Sequence, residues 1–260
     1  MSFSSGTTSA ASLPSSELSV PARLGNLIFR GRDALFPIVL LTLAFGTKPH
    51  IAGGSHSVDH LVDIAGVLVV LTGQLLRVMV IGLVYITRGG QDRRVWANTL
   101  VDGGMFGHSR NPLYFANVLI VLGLAIVHNG PAMYLIGVPL FMAAYFCIVK
   151  AEEHYLHGRF GDAYVDYCRR VPRWMPSLRG LSRTMRETQF DWMRVLRKEY
   201  GTPFAWASGL LILLVWEHSA PGASPLGRLE LSIIVSTWIV LAIVYLVVRT
   251  LKLSGRLGTA

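Results

Sequence analysis

Apolar residues run in six blocks along the chain, at 34–46, 61–86, 113–127, 131–149, 204–216 and 229–248, with polar stretches between them. A helix needs about 20 residues to cross a bilayer. The first, third and fifth blocks are short of that and must borrow flanking residues or tilt. No block alternates as a half-buried strand would. The pattern predicts an all-α fold, a polytopic membrane bundle of about six transmembrane helices. The third and fourth blocks are separated only by His128-Asn129-Gly130, and Pro131 suits a first helical position. They read as a tight helical hairpin.

Composition agrees with a membrane bundle. Of 260 residues, 52% are hydrophobic and 15% charged, against about 25% charged in an average soluble domain. The first nineteen residues are rich in Ser and Thr and lack a basic stretch followed by an apolar one, which predicts a disordered leader rather than a cleaved signal. Cys147 and Cys168 offer neither a disulfide framework nor a CxxC metal pair. The polar breaks divide the chain into a leader (1–30), two amino-terminal helices (31–86), a central unit carrying the hairpin (87–176), a basic linker (177–203) and two carboxy-terminal helices with a basic tail (204–260). Within the linker, Met185, Trp192, Met193, Leu196 and Tyr200 can share one helical face among arginines. The stretch 182–200 therefore reads as an interfacial amphipathic helix, or alternatively as a solvated basic linker.

Charge orients the bundle. With the amino terminus inside, the inner segments hold 21 of the 24 Lys and Arg residues, as the positive-inside rule requires. Both termini are then expected at the cytoplasmic face, in the inner membrane if the host is a bacterium. The net charge of +9 suits anionic lipid headgroups. Nucleic-acid binding is a poor reading, because no basic soluble domain exists to carry it.

Two polar clusters interrupt the pattern. Ser109-Arg110-Asn111-Pro112 abuts the third block. Asn and Pro are good helix starters, but that role leaves His108, Ser109 and Arg110 unaccounted for. A helix start beside an arginine suits a carboxylate or phosphate. Glu152-Glu153 closes the fourth block, where the helix dipole favours cations. Pairing with Lys150 or Arg159 is one explanation. A cationic ligand, an ammonium or a sulfonium, is the other. Tyr164 and Tyr167, three residues apart, can line one side of a pocket. His154 and His157 lack a third ligand nearby, so no metal site is expected, and His50, His56 and His60 receive no role. Arg77 lies inside the second block, where a cation faces a cavity or partner or else snorkels.

The residues Gly104-Met105-Phe106-Gly107-His108-Ser109-Arg110-Asn111-Pro112-Leu113-Tyr114, the apolar hairpin, then Glu152-Glu153, Leu156, Phe160-Gly161, Tyr164, Tyr167, Val171-Pro172-Arg173 and Pro176 resemble one membrane family. It is the isoprenylcysteine carboxyl methyltransferase and phospholipid methyltransferase group. Its pattern reads G-x-Y-R-Y-x-R-[HN]-P-x-Y, a helical hairpin, then E-E-x-x-L-x-x-x-F-G-x-x-Y-x-x-Y. Three positions depart from it: Gly107 and His108 stand where the family has Arg and Tyr, and Phe106 stands for a Tyr. Asn111 replaces the His of the prenylcysteine enzymes.

The resemblance implies S-adenosyl-L-methionine as methyl donor, bound near the cytoplasmic face. By position it implies a cofactor pocket from His108, Ser109, Arg110, Asn111, Pro112 and Tyr114. Glu152 and Glu153 would take the ammonium or ribose, and Leu156, Gly161, Tyr164 and Tyr167 would complete the wall. Arg110 and Arg173 would position an acidic acceptor. Glu153 or His108 would take the proton of an amine acceptor. The acceptor is expected to be a lipid or prenylated molecule entering from the bilayer. Two other readings stand beside this one, an NADPH-dependent membrane reductase of the sterol type and a non-enzymatic scaffold or transporter. No Ser-His-Asp order, phosphate loop or Rossmann fingerprint is present.

Overall fold

A computed structural model describes residues 18–50, 52–83, 88–91, 94–97, 99–218 and 225–257. The expected disordered leader up to residue 17 and the end of the second apolar block at 84–86 lie outside the described residues. The helices are α1 (Val20–Gly46), α2 (His56–Leu83), α3 (Pro112–His128), α4 (Val138–Phe160), α5 (Asp162–Arg170), α6 (Leu181–Glu187), α7 (Trp192–Glu199), α8 (Gly201–Glu217) and α9 (Arg228–Leu253). Each of the six apolar blocks falls on one long helix, and α4 continues a π-helical turn at Met133–Gly137. The segments Ser57–Leu83, Met133–Phe160 and Arg228–Leu253 are long and apolar enough to cross a membrane, while α3 and α8 are apolar but shorter. The fold is a helical membrane bundle.

Small residues set the central helix pair. A Cβ added at Gly123 of α3 would lie 2.5 Å from the Gly66 carbonyl oxygen of α2. One at Gly73 would lie 2.7 Å from the Ala116 carbonyl oxygen. The two backbones therefore run antiparallel in direct contact, as small-residue stripes permit in a lipid environment. On the other side, Gly25 of α1 presses against the Cys147 backbone of α4.

Arg77 ties four helices together. Its Nε and Nη2 donate to the two Glu199 carboxylate oxygens of α7 at 2.6 and 2.9 Å, and Nη1 donates to Asn117 Oδ1 of α3 at 2.5 Å. Gln74 also donates to Glu199, and Trp206 of α8 donates to Gln74. The intramembrane cation thus has a partner, in a bidentate geometry that satisfies both charges.

Three expectations need correction. A two-stranded antiparallel hairpin, β1 (Arg88–Gln91) with β2 (Arg94–Ala97), joins α2 to the central unit, with Gly89 opposite Trp96. Strands of four residues with two glycines carry no readable alternation. The linker 182–200 is not one helix: α6 and α7 are separated at 188–191. There Phe190 packs on Gly82, the Asp191 N–H donates to the Gly82 carbonyl, and Asp191 caps α7 by accepting from the Arg194 N–H at 2.8 Å. Docking to the end of α2 outweighs helical continuity. Finally, α4 runs on to Phe160, so Glu152 and Glu153 sit about two turns inside the helix rather than at its end.

Candidate functional site

The site begins where α3 starts. Segment 172–177 lies against residues 108–111 in a ladder of polar contacts. The Arg110 N–H donates to the Pro172 carbonyl at 2.9 Å, and the Asn111 side chain donates to the Arg173 carbonyl at 3.0 Å. Ser109 Oγ donates to the Trp174 carbonyl at 2.8 Å, and the Ser177 N–H donates to the His108 carbonyl. His108 Nδ1 lies 2.7 Å from the Ser177 carbonyl oxygen and Nε2 lies 2.9 Å from Thr184 Oγ1. Asn111 therefore precedes the helix without capping it through its side chain. His108, Ser109 and Asn111 direct side-chain polar atoms to this segment, with His108 Nε2 reaching Thr184 beyond it, and all three are buried. Pro112 is buried at the first turn of α3.

That ladder places Arg173 beside Arg110. Arg110 Nη1 lies 3.1 Å and Arg173 Nε 2.9 Å from the same oxygen of Glu153, Oε1. Arg110 Nη1 also lies 2.8 Å from Cys168 Sγ. The adjacent carboxylate, Glu152, accepts from the Tyr114 hydroxyl at 2.5 Å, and Arg32 of α1 reaches that hydroxyl at 3.4 Å. Neither Lys150 nor Arg159 supplies the expected pairing. Glu152 points instead to Tyr114 of α3, and Glu153 to Arg110 and Arg173, because both acids lie within α4 and not at its exposed end.

Gly161 turns the chain at φ 52° and sends α5 back over α4. Tyr164, Tyr167 and Leu156 are then buried together with Ala97 of β2 and Val171. Tyr167 donates to the Phe106 carbonyl at 2.8 Å, and Leu156 is packing in the same cluster. Burial, then the Glu153 carboxylate, push the Tyr164 phenol well above its ordinary range, so it stays protonated. Burial alone would lower Arg110, but Glu153 first and then Cys168 and Tyr164 outweigh it and hold the guanidinium charged.

The buried Nε of Arg110 has no hydrogen-bond partner among the described residues. A buried donor left unpaired costs roughly 1–3 kcal/mol, and an anionic ligand group beside it would remove that cost. Carboxylates and guanidinium groups stand side by side here. The donor set therefore fits a ligand with both charges, such as an amino acid end.

Arg32 and Tyr145 belong to this neighbourhood and were not read from the sequence, whereas Cys168 and Trp174 lie in the basic and aromatic run 164–174 that the family resemblance implies would close over the cofactor. Cys168 is four residues from Tyr164, a spacing that shares a helix face. Arg32 falls in the first, more polar half of α1, which the apolar pattern did not include.

Two features lie at the opposite end of the bundle. Carboxylate oxygens of Asp59, Asp63 and Glu217 come within 4.8 Å of one another. An apolar groove of about 450 Å³ opens between α1, α8 and α9, lined by residues including Phe45, Ile212, Trp216 and Trp238. Neither touches the Arg110 cluster.

Residues 62–163 match the phospholipid methyltransferase family. The matched span runs from Val62 within α2 through α3 and α4, holds Arg110, Tyr114, Glu152 and Glu153, and stops before Arg173. The chain is also 32% identical over 81 residues to the cobalt-zinc-cadmium resistance protein CzcN of Cupriavidus metallidurans, covering 31% of this chain and 37% of the relative. It is 26% identical over 117 residues to the nickel-cobalt-cadmium resistance protein NccN of Alcaligenes xylosoxydans xylosoxydans, covering 42% of this chain and 53% of the relative. The chain thus spans between about a third and a half of the length of these curated relatives. No solved structure matches.

Proposed function

We propose that this protein is an integral membrane methyltransferase that uses S-adenosyl-L-methionine and methylates a lipophilic acceptor. The observation that carries this reading is the convergence of Arg110, Arg173 and Glu153 with the Tyr114–Glu152 pair at one end of the bundle, largely inside the span that matches the methyltransferase family. Arg110, with its unpaired Nε, would hold the carboxylate of the methionine end. Glu152 and Glu153 would hold the ammonium or the ribose. Bound there, the cofactor would supply a methyl group already activated on a sulfonium sulfur.

The chain's own contribution is then placement and exclusion of water. The ladder between 108–111 and 172–177 fixes Arg110 and Arg173 against one carboxylate. The aromatic residues Phe29, Phe141, Tyr145 and Trp174 pack beside Tyr114 and keep that side dry. His108 has both ring nitrogens committed to Ser177 and Thr184, so it is a poor choice as a proton acceptor. Lysine and arginine placement supports the site and both termini at the cytoplasmic face, with α6 and α7 lying along an anionic leaflet.

The reductase reading would bring a phosphate-rich nucleotide beside the carboxylates Glu152 and Glu153, which repel it. The relatives' names speak of metal resistance. In this chain the Asp59, Asp63 and Glu217 group offers carboxylate oxygens only, a donor set suited to hard cations rather than to cobalt, zinc or cadmium. It therefore does not displace the methyl-transfer reading.

The test is transfer of label. Purified full-length protein in lipid nanodiscs is incubated with methyl-labelled S-adenosylmethionine and a total membrane lipid extract. Label is expected in the organic phase, at least tenfold less with Arg110→Ala. No label in any fraction, with reduced nicotinamide dinucleotide bound instead, would overturn the reading.

A further inference from the structure

Residues 175–198 lie across the ends of the apolar helices and carry apolar and basic side chains outward together. Met175, Leu178, Met185, Trp192 and Met193 are all exposed, Leu178 at 77% and Trp192 at 70%. The same stretch holds six Lys and Arg residues against two acids, Glu187 and Asp191. Those acids are matched by Arg183 and Arg194, while Arg179, Arg186 and Lys198 stand exposed. Exposed Trp and Met among arginines fit a bilayer interface, where apolar groups enter the acyl boundary and cations meet acidic headgroups. The bilayer is within reach. The Asp191 N–H and the Arg194 guanidinium both donate to the Gly82 carbonyl at the end of the membrane-spanning α2.

The stretch is also tied to the site. Helix α6 has seven residues and buries none of them, and so short a helix does not hold its shape alone. Its Thr184 Oγ1 lies 2.9 Å from His108 Nε2, and Nδ1 of the same ring lies 2.7 Å from the Ser177 carbonyl oxygen. His108 is two residues from Arg110, and Ser177 is four from Arg173, the two arginines that share Glu153. One imidazole therefore joins the exposed stretch to both arginines. The family pattern has a Tyr at this position, and its single hydroxyl could not span the two contacts that two ring nitrogens make.

We propose that residues 175–198 sense an anionic leaflet: docking on acidic headgroups tightens methyl-donor binding through the His108–Thr184 contact. This rests on the methyltransferase reading above and adds a surface that governs the site. The acidic lipid acts here as that surface and not as the methyl acceptor. By linkage, the donor strengthens docking as much as docking strengthens the donor.

The experiment places the full chain in nanodiscs of phosphatidylcholine alone, or with one third phosphatidylglycerol. Binding of S-adenosylhomocysteine and amide hydrogen exchange are read in both. If S-adenosylhomocysteine binds in neither disc, the methyltransferase reading falls and this inference with it. The proposal expects at least fivefold tighter binding in the anionic disc, slower exchange across 181–198 there, and loss of both differences at high salt. Exchanging Arg179→Gln, Arg186→Gln and Lys198→Gln together should erase both differences. Affinity in the phosphatidylcholine disc should stay within threefold of the parent, which checks folding. Thr184→Val should keep the slowed exchange of 192–198 and lose the gain in affinity. Equal affinity of the parent in the two discs, or a gain that survives either the triple exchange or Thr184→Val, would overturn the proposal while leaving the methyltransferase reading in place.

Discussion

Glu153 is the residue on which the site's order depends, because two arginines share one of its oxygens. Glu153→Gln would leave both without a counter-charge. Charged hydrogen bonds of this kind contribute about 1.5–3 kcal/mol each in favourable settings, and Arg173 is about a third exposed, so a total loss near 2 kcal/mol is expected. Thermal unfolding in detergent checks this. The residue types of the site were legible in the sequence, Arg110, Arg173 and the two acids among them. Their uses were less so. His108, Ser109 and Asn111 look like ligand groups in a linear reading. In the fold their side chains hold the backbone of 172–177, some sixty residues away. A hydrogen bond at that separation leaves no periodic mark, so only the folded chain reveals it.

At the scale of elements, helix spacing and helix ends carry the fold. Gly123→Val would force α2 and α3 apart at their closest approach and is expected to cost about 1–3 kcal/mol, or more if the pair cannot shift. The melting midpoint of the purified variant reads it. The start of α7 depends on Asp191, whose carboxyl is held below its ordinary value of 3.8 by the Arg194 N–H and then by nearby arginines. The sign follows from that direction: its contribution is present above the ordinary value and lost as pH falls through the lowered one. An acid titration of tryptophan fluorescence, which samples Trp192, should show a step below about pH 4 in the parent that is absent in Asp191→Ala. The six long helices were legible because apolar runs announce themselves. The β1–β2 hairpin and the break between α6 and α7 were not. Each is decided by docking onto other elements rather than by its own pattern.

For the whole molecule, the Arg77–Glu199 pair joins the apolar helices to the segment laid across their ends. Breaking such a pair from one side leaves an unpaired buried charge and typically costs about 3–5 kcal/mol. Arg77→Met should approach that loss, and Arg77→Met with Glu199→Met should recover most of it, as read by equilibrium unfolding of the two variants. The same architecture turns one end of the bundle into a polar site and leaves the helix faces to lipid. A methyl donor held at that end is the central claim. Equilibrium dialysis of labelled S-adenosylmethionine against the purified full chain tests it most directly. Saturable binding at one site, weakened at least tenfold by Arg110→Ala and by Glu152→Gln but not by Asp63→Asn at the far end, is the predicted result. Absence of saturable binding in the folded parent protein, or binding untouched by both site variants, would contradict it.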